Sequence, residues 1–565
     1  MAATLPGAPA ADRARTHERA LLGAGVTAVA AVLLAIVALP LASLLVKSFQ
    51  DGDGAFVGLA NYARWFATPA LVASLWNSVW VSLLATAIVI PLAFAYAYAI
   101  TRTSMPAKPA FVAVALLPLF TPSLLPAISL IYVFGNQGFL KSWLFGHTVY
   151  GPIGIVLAQV FYCFPHAFLI VATALGLADQ RLYDAAQALG TSRWRTFLAV
   201  TLPGAKYGLT SAAFVVFTLV VTDFGIPKVI GGQFAVLATD AYKQVVGQQN
   251  FPMGAVVGFI LLVPAVLAFA VDRLTHRRQV ALLSARAVPL VPARQPTLDA
   301  AALAFCAAFG LLLVGVIAVA VWASFVTYWP YNLSLSLKHY RFEEFDAAGW
   351  APWFNSVAMA SLAAAIGTAV VFAGAYFVEK GRGFGPVRGL IQLLAMLPMA
   401  VPGLVLGLAY VFFFNAPWNP LGVFYATLLL LAVNSVAHFY TVAHVTAVTA
   451  LKQIDPEFES VSQSLRVPWW TMLRRVTLPI CLPAVLDIFV YLFVNALTTV
   501  SAVIFLYGAH TKLAAISIVH MDEAGATAAA AAMATVVFVT ALAAKLLHLA
   551  LARWVFGRLQ AWRRR

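Results

Sequence analysis

The residues best placed to do work in this chain form a docking surface rather than a catalytic group. Leu182, Ala185, Ala186 and Leu189 recur at helical spacing, Gly190 follows, and Trp194, Phe197, Leu198, Leu202 and Pro203 come next. That spacing predicts a short amphipathic helix ending at a glycine, then a second short helix up to Pro203, where a longer one begins. A second copy carries Phe458, Val461, Leu465, Trp469, Trp470, Leu473, Leu478 and Pro479. The two copies stand in register: Leu182 falls on Phe458, Trp194 on Trp470, and Val200-Thr-Leu-Pro203 returns as Val476-Thr-Leu-Pro479. An apolar helix face in a loop either docks into a partner's groove or lies on a lipid surface. Spacing alone leaves both uses open.

Enzymatic chemistry finds no footing. Cys163, Cys306 and Cys481 are far apart in apolar sequence and read as packing residues. His166, His438 and His444 form no ligand-type grouping with carboxylates or cysteines, so no metal and no cofactor is expected. There is no Gly-Lys dipeptide and hence no P-loop. No catalytic residue is assigned. Asp223 and Asp487 are acids at membrane depth, where an ionisable group is a functional candidate. Asp487 follows a Leu-Pro junction closely and reads as a helix-start residue near the inner interface. Asp223, with Lys228 and Lys243 in the polar segment after it, is a candidate for the pathway or its gate, as are Thr498 and Thr499. Either lysine is suited to an anionic solute, although a solvated loop charge is the plainer role for each.

The elements holding these residues are membrane helices. The chain is 62% hydrophobic and only 10% charged, with a mean hydropathy of +0.91. That much apolar surface needs lipid as its solvent. The net charge of +15 therefore speaks for membrane topology and not for nucleic acid. Apolar runs predict twelve spans, at about 20–46, 74–101, 110–134, 151–176, 207–226, 252–271, 300–326, 355–378, 389–414, 421–447, 482–506 and 526–552. The first is too long for a signal peptide and reads as a retained helix. Pro91, Pro118, Pro122, Pro126, Pro398 and Pro402 fall within spans and predict kinks or a broken helix. With the N-terminus inside, 26 Lys and Arg fall in inside segments and 8 in outside ones. By the positive-inside rule both termini and both repeated loops then face the cytoplasm.

The repeat extends beyond the loops. Asn77-Ser78 returns as Asn355-Ser356, Ala97-Tyr98 as Ala375-Tyr376 and Tyr62 as Tyr340, all at one common offset. Capping or interhelix hydrogen bonding is the expected role of Asn77 and Asn355. Leu117-Pro118 and Pro122 return as Leu397-Pro398 and Pro402, at nearly the same offset. The fold class is thus all-α and integral to the membrane, about twelve helices in two parallel six-helix repeats. The expected organisation is a tail at 1–19, a first half at 20–271 with its loop at 178–206, and a linker at 272–299. A second half follows at 300–556 with its loop at 452–482, and a basic tail at 557–565.

The loops resemble the EAA loop of ABC importer permeases, in which Glu-Ala-Ala, a glycine shortly after and a later Leu-Pro form the coupling helix. Asp184-Ala185-Ala186, Gly190 and Leu202-Pro203 match, with Asp for Glu. The second copy departs: Glu459 comes one place early, Ser460-Val461-Ser462 replaces the triplet, and Arg466 replaces the glycine. The resemblance covers roughly residues 20–556. It implies two copies of an ABC ATPase subunit docked on the loops and a periplasmic or extracytoplasmic solute-binding protein delivering a small solute. It places the chain in the bacterial inner membrane, in contact with the lipid bilayer. The fused arrangement resembles permeases for ferric iron, thiamine and 2-aminoethylphosphonate, with polyamine a further alternative. Asp223-Phe-Gly-Ile-Pro-Lys228, Ala238-Thr-Asp240 and Thr498-Thr-Val-Ser-Ala502 are similar to the 2-aminoethylphosphonate branch, making that the expected solute. A secondary transporter would want more embedded charge, and a membrane enzyme a catalytic constellation.

Overall fold

The computed structural model describes residues 8–279, 288, 290–381, 383–465 and 467–559. Its first half runs through α1 (His17–Ser48), α2 (Pro69–Arg102), α3 (Lys108–Phe120), α4 (Leu124–Phe134) and α5 (Pro152–Gly176). The first loop helix α6 (Gln180–Ala188) follows, then α7 (Arg193–Thr222), short α8 (Gly225–Ile230) and α9 (Leu237–Tyr242), and α10 (Phe251–Gln279). The second half repeats this order. It comprises α11 (Pro296–Phe325), α12 (Ala351–Lys380), α13 (Gly385–Ala400), α14 (Gly403–Phe414), α15 (Leu428–Lys452), the loop helix α16 (Glu457–Ser464), α17 (Trp469–Thr498), short α18 (Ala514–Glu523) and α19 (Thr527–Leu559). The strands among the described residues pair in one hairpin, Val326–Tyr328 with Asn332–Leu335.

Among the described residues, ten helices are long and apolar enough to span a membrane, and twelve spans result if each bent pair counts as one. The prolines within the spans at 110–134 and 389–414 predict kinks or a break, and both spans are broken. Here α3 meets α4 at 99° and α13 meets α14 at 117°. Pro122 and Pro402 explain the breaks, because a residue before proline is pushed out of the helical region. Thr121 and Val401 are accordingly extended, at φ −90° and −104°. The expected spans at 207–226 and 482–506 also end early, at Thr222 and Thr498. Asp223 and Thr499, the next residues in each half, are again extended. Apolar chain continues beyond both points, but it folds into turns and short helices that re-enter the bundle.

The first helix of each half packs across onto the other half. α1 lies against α12, α13 and α14, while α11 lies against α2, α3 and α4. Pro40 carries no N–H, so the carbonyl of Ile36, one turn earlier, lacks its helical donor. The Tyr410 hydroxyl of α14 fills that vacancy at 2.7 Å. Membrane helices tolerate proline where a neighbour serves the freed carbonyl in this way. Across the other junction, the Val316 carbonyl of α11, a helix with no interior proline, accepts the Ser129 hydroxyl of α4.

Asn77 and Asn355 hold the re-entrant chain, and the serines beside them serve the first amides of α9 and α18. Asn77 Nδ2 donates to Ala235 O at 2.9 Å, and Ser78 Oγ accepts the Leu237 amide at 2.8 Å, just before α9. In the second half Asn355 donates to His510 O and Lys512 O at 3.0 Å, and Ser356 accepts the Ala514 amide at 2.8 Å, at the start of α18. The second clasp carries a further lock. Lys512 Nζ is 2.6 Å from Asp346 Oδ2, Ser517 also donates to that carboxylate, and the Ala348 amide reaches its other oxygen at 3.1 Å. Burial pushes the Asp346 carboxyl up, but the hydrogen bonds from Lys512, Ser517 and Ala348 and the Lys512 charge outweigh it, so its pKa lies below the usual carboxylate value. The lock therefore contributes stability above the ordinary carboxylate pKa and loses it as pH falls through the lowered one. Acidification into that range is expected to lower the amide protection factors at 513–517, taken against the unstructured exchange rate at the same pH, in the native chain. Asp346→Asn should show low protection at all pH values, and a native protection factor that does not change with pH would refute the sign.

Candidate functional site

Both repeated loops fold as helix, turn, helix at the same end of the bundle. Asp179 Oδ1 caps α6 by accepting the Arg181 amide at 3.1 Å, and Asp455 Oδ1 caps α16 by accepting the Glu457 amide at 2.9 Å. Each loop helix closes with the same backbone bond, Thr191 N to Ala186 O at 3.1 Å and Val467 N to Ser462 O at 2.8 Å. This is the terminal hydrogen bond that usually accompanies a left-handed residue after a helix. Gly190 takes that role with φ +65°. Arg466 lies outside the described residues.

The predicted second short helices are instead continuous with the spans that follow. Arg193–Thr196 runs through a π turn at Phe197–Thr201 into Leu202, and Trp469–Met472 through Leu473–Thr477 into Leu478. Pro203 and Pro479 account for this, because a proline ring collides with the carbonyl one turn back and a wider turn relieves the clash.

The faces predicted from spacing are laid bare. Leu182, Leu189 and Trp194 are 57%, 80% and 69% exposed, and Phe458, Val461, Leu465 and Trp470 are 47%, 55%, 70% and 41% exposed. Ala185 is exposed beside Leu182 and Leu189, while Ala186 is buried against the bundle. Leu202, Pro203, Leu478 and Pro479 are exposed as well. Asp184 points to solvent and accepts Gln180 Nε2 at 2.7 Å. Ser460, its counterpart, bonds back to Pro456 O at 3.3 Å. Large apolar side chains left uncovered in a contiguous patch mark an interaction surface.

The two loops are braced differently. Chain from the linker runs beside the first: Gln180 N donates to Val288 O at 2.9 Å, and Val291 N to Gln180 Oε1 at 3.2 Å. At the second, Glu18 of α1 accepts the amide of Trp469 at 3.0 Å. None of these partners carries a local signal in the sequence, since each contact joins distant segments.

The pathway candidates gather at the opposite end, and the structure gives them partners. Asp223 accepts Gln159 Nε2 at 2.8 Å and the amides of Gly225 and Ile226 at 3.3 and 3.0 Å, so it starts α8. Lys228, on α8, forms an ion pair with Glu523 at the end of α18 in the other half. Its ammonium also stands 4.7 Å from the centroid of the Tyr242 ring, which stacks on Phe505 of the second half at 6.1 Å. Glu523 was not foreseen, as nothing near Met521-Asp522-Glu523 ties it to Lys228. Lys243 is exposed, Thr498 bonds within its own helix at 3.0 Å, and Thr499 is buried. Asp487 lies within α17, its Oδ1 3.3 Å from His548 Nε2 of α19.

Comparison with known proteins agrees with this duplicated architecture. The family model for binding-protein-dependent transport system inner membrane components matches twice, over residues 88–280 and 375–557. The Ferric transport system permease protein FbpB of Actinobacillus pleuropneumoniae is 26% identical, covering 93% of this chain and 77% of its own. A ferric transport permease of Haemophilus influenzae is 28% identical, covering 84% and 76%. The Spermidine/putrescine transport system permease protein PotB of Haemophilus influenzae is 25% identical over 43% of this chain and 89% of its own. A bacterial alginate ABC transporter structure, solved with its periplasmic protein, aligns at a TM-score of 0.34 and 16% identity over 39% of this chain and 84% of the matched one. Matched over both of its halves, the chain belongs to the family of binding-protein-dependent transport system inner membrane components: it is a multi-pass ABC importer permease.

Proposed function

We propose that this chain forms the whole translocation pathway of its importer and seats two ATPase subunits, one on α6 and one on α16. Both loops and both termini then face the cytoplasm, as the distribution of Lys and Arg supports. The carrying observation is the pair of exposed apolar faces at equivalent places, Leu182, Ala185 and Leu189 on one and Phe458, Val461 and Leu465 on the other. Helix-in-groove docking suits them better than a lipid surface, because Asp184, Glu457 and Arg193 surround them with exposed charge. At the far end a solute-binding protein delivers its cargo onto a closed layer. Lys228 and Glu523 are the latch of that layer, with Asp223 and Thr499 setting the turns behind it and Lys243 and Thr498 at its margin. Purification of the full chain from cells expressing it with its ATPase tests this: a complex with two ATPases per chain is expected. A chain that emerges alone under conditions preserving its fold would refute the reading.

For the solute, two of the relatives spanning most of the chain are named for ferric transport, which favours a ferric complex. The likeness over Asp223–Lys228 and Thr498–Ala502 favours 2-aminoethylphosphonate as a second reading. Loss of radioactive iron uptake on deletion of the chain supports the first. Loss of growth on 2-aminoethylphosphonate with iron uptake intact supports the second.

A further inference from the structure

Each half has a basic residue in the last turn of its second span. Arg102 ends α2, and Lys380 ends α12 at the matching place in the repeat. Both reach one position on the neighbouring loop helix, Tyr183 on α6 and Glu459 on α16. These two are themselves equivalent, each directly following the paired residues Leu182 and Phe458. The bonds differ. The Arg102 guanidinium carbon stands 5.3 Å from the centroid of the Tyr183 ring, and its Nη2 donates to Leu175 O at 2.7 Å. Lys380 Nζ lies 2.5 Å from Glu459 Oε1, with the lysine side chain 10% exposed and the glutamate 26%. Glu459, displaced by one place as a counterpart of Asp184, is in register as a counterpart of Tyr183. The first helix has further holds in Tyr183 Oη to Thr201 Oγ1 at 3.0 Å and in the linker.

We propose that Arg102 and Lys380 are positioning residues for coupling: they fix each loop helix to the second span, by a cation–π contact in one half and an ion pair in the other. The inference rests on the docking reading above. A cation at a helix C-terminus is favoured there already, so the tether uses a charge that the span holds in place. A guanidinium over a ring is less open to salt screening than a part-exposed ion pair. The second coupling helix is therefore the one that loosens as ionic strength rises.

The test uses the full chain with its ATPase in liposomes, with a nitroxide on Ala188→Cys or on Ser464→Cys, exposed equivalents on α6 and α16. Lys380→Met should mobilise the label at 464 and leave that at 188 fixed. Raising salt from about 0.05 to about 0.5 M should do the same to the unmutated chain. ATP hydrolysis by the complex should fall about fivefold in Lys380→Met, the scale of one ion pair, with the ATPase still bound. Lys380→Arg, and the exchange Lys380→Glu with Glu459→Lys, should restore both readouts. Unchanged mobility and hydrolysis in Lys380→Met overturns the proposal. So does loss of the bound ATPase in that variant, which would make Lys380 a docking residue. If the unmutated chain holds no ATPase, the docking reading itself fails, and the tether falls with it.

Discussion

Leu189→Asp and Leu465→Asp are each expected to weaken ATPase binding at least about tenfold while leaving the membrane bundle folded. These side chains are 80% and 70% exposed, so removing them costs the isolated chain little. On docking each would lose water from a leucine surface worth about 1.5–3 kcal/mol, and a carboxylate in its place adds a desolvation cost. Gly190→Val reaches the same end by another route. A Cβ at Gly190 meets nothing within 4 Å, so space is no obstacle. The obstacle is the backbone at φ +65°, which costs a branched residue about 1–2 kcal/mol. That substitution should shift the angle of α6 and weaken binding at the first loop, with Leu465→Asp silencing the second independently. Copurification and thermal unfolding of each variant separate docking from folding. Full ATPase occupancy in the double variant Leu189→Asp, Leu465→Asp would remove the loops as docking sites.

Lys228→Glu is expected to open the far end of the bundle and release ATP hydrolysis from its dependence on the loaded binding protein. The variant sets two carboxylates facing each other across the halves where an ion pair now stands. Unit charges about 4 Å apart interact by about 1–4 kcal/mol between bulk-water and near-surface conditions. Glu523 is 44% exposed, which places the effect toward the lower figure. Replacing attraction by repulsion still moves a balance between closed and open forms by about tenfold. Basal hydrolysis in liposomes should rise accordingly, and adding Glu523→Lys should return it to the original rate. A basal rate untouched by Lys228→Glu would dismiss the latch.

The spans and the loops were legible because both are written locally. A long unbroken apolar run, or Leu182, Ala185 and Leu189 at helical spacing, needs no distant partner to be recognised. The breaks at Thr121 and Val401 were signalled by their prolines but their size was not, since apolar sequence continues through each. Pro122 and Pro402 were the visible signs, and each fixes the residue before it without announcing how far the axis turns. The ends at Thr222 and Thr498 were missed for the same reason, as Val500, Ala502 and Val503 are as apolar as a span but are buried in turns. The exposed apolar faces of α6 and α16 were legible and their bracing was not. Arg102 and Lys380 recur with the period of the repeat, yet only the fold shows that they meet Tyr183 and Glu459. Glu523 offered no pattern, because an ion pair between halves depends on where each re-entrant helix comes to rest.

The exchange of first helices between the halves sets a schedule for biosynthesis. Ile36 leaves the ribosome early, but the hydroxyl that serves its carbonyl belongs to Tyr410, 374 residues later. At about 5–20 residues per second, the opening helix waits on the order of tens of seconds for its seat. During that interval it stands among lipids with an unserved carbonyl. The second helix pairing has no such delay, since Ser129 is already made when Val316 arrives. Nascent chains cut before α14 should therefore keep the opening helix open to the quality-control proteases of the membrane, and chains released after it should not. Joining the halves in one polypeptide makes the late partner certain to arrive, at one copy per opening helix and beside it.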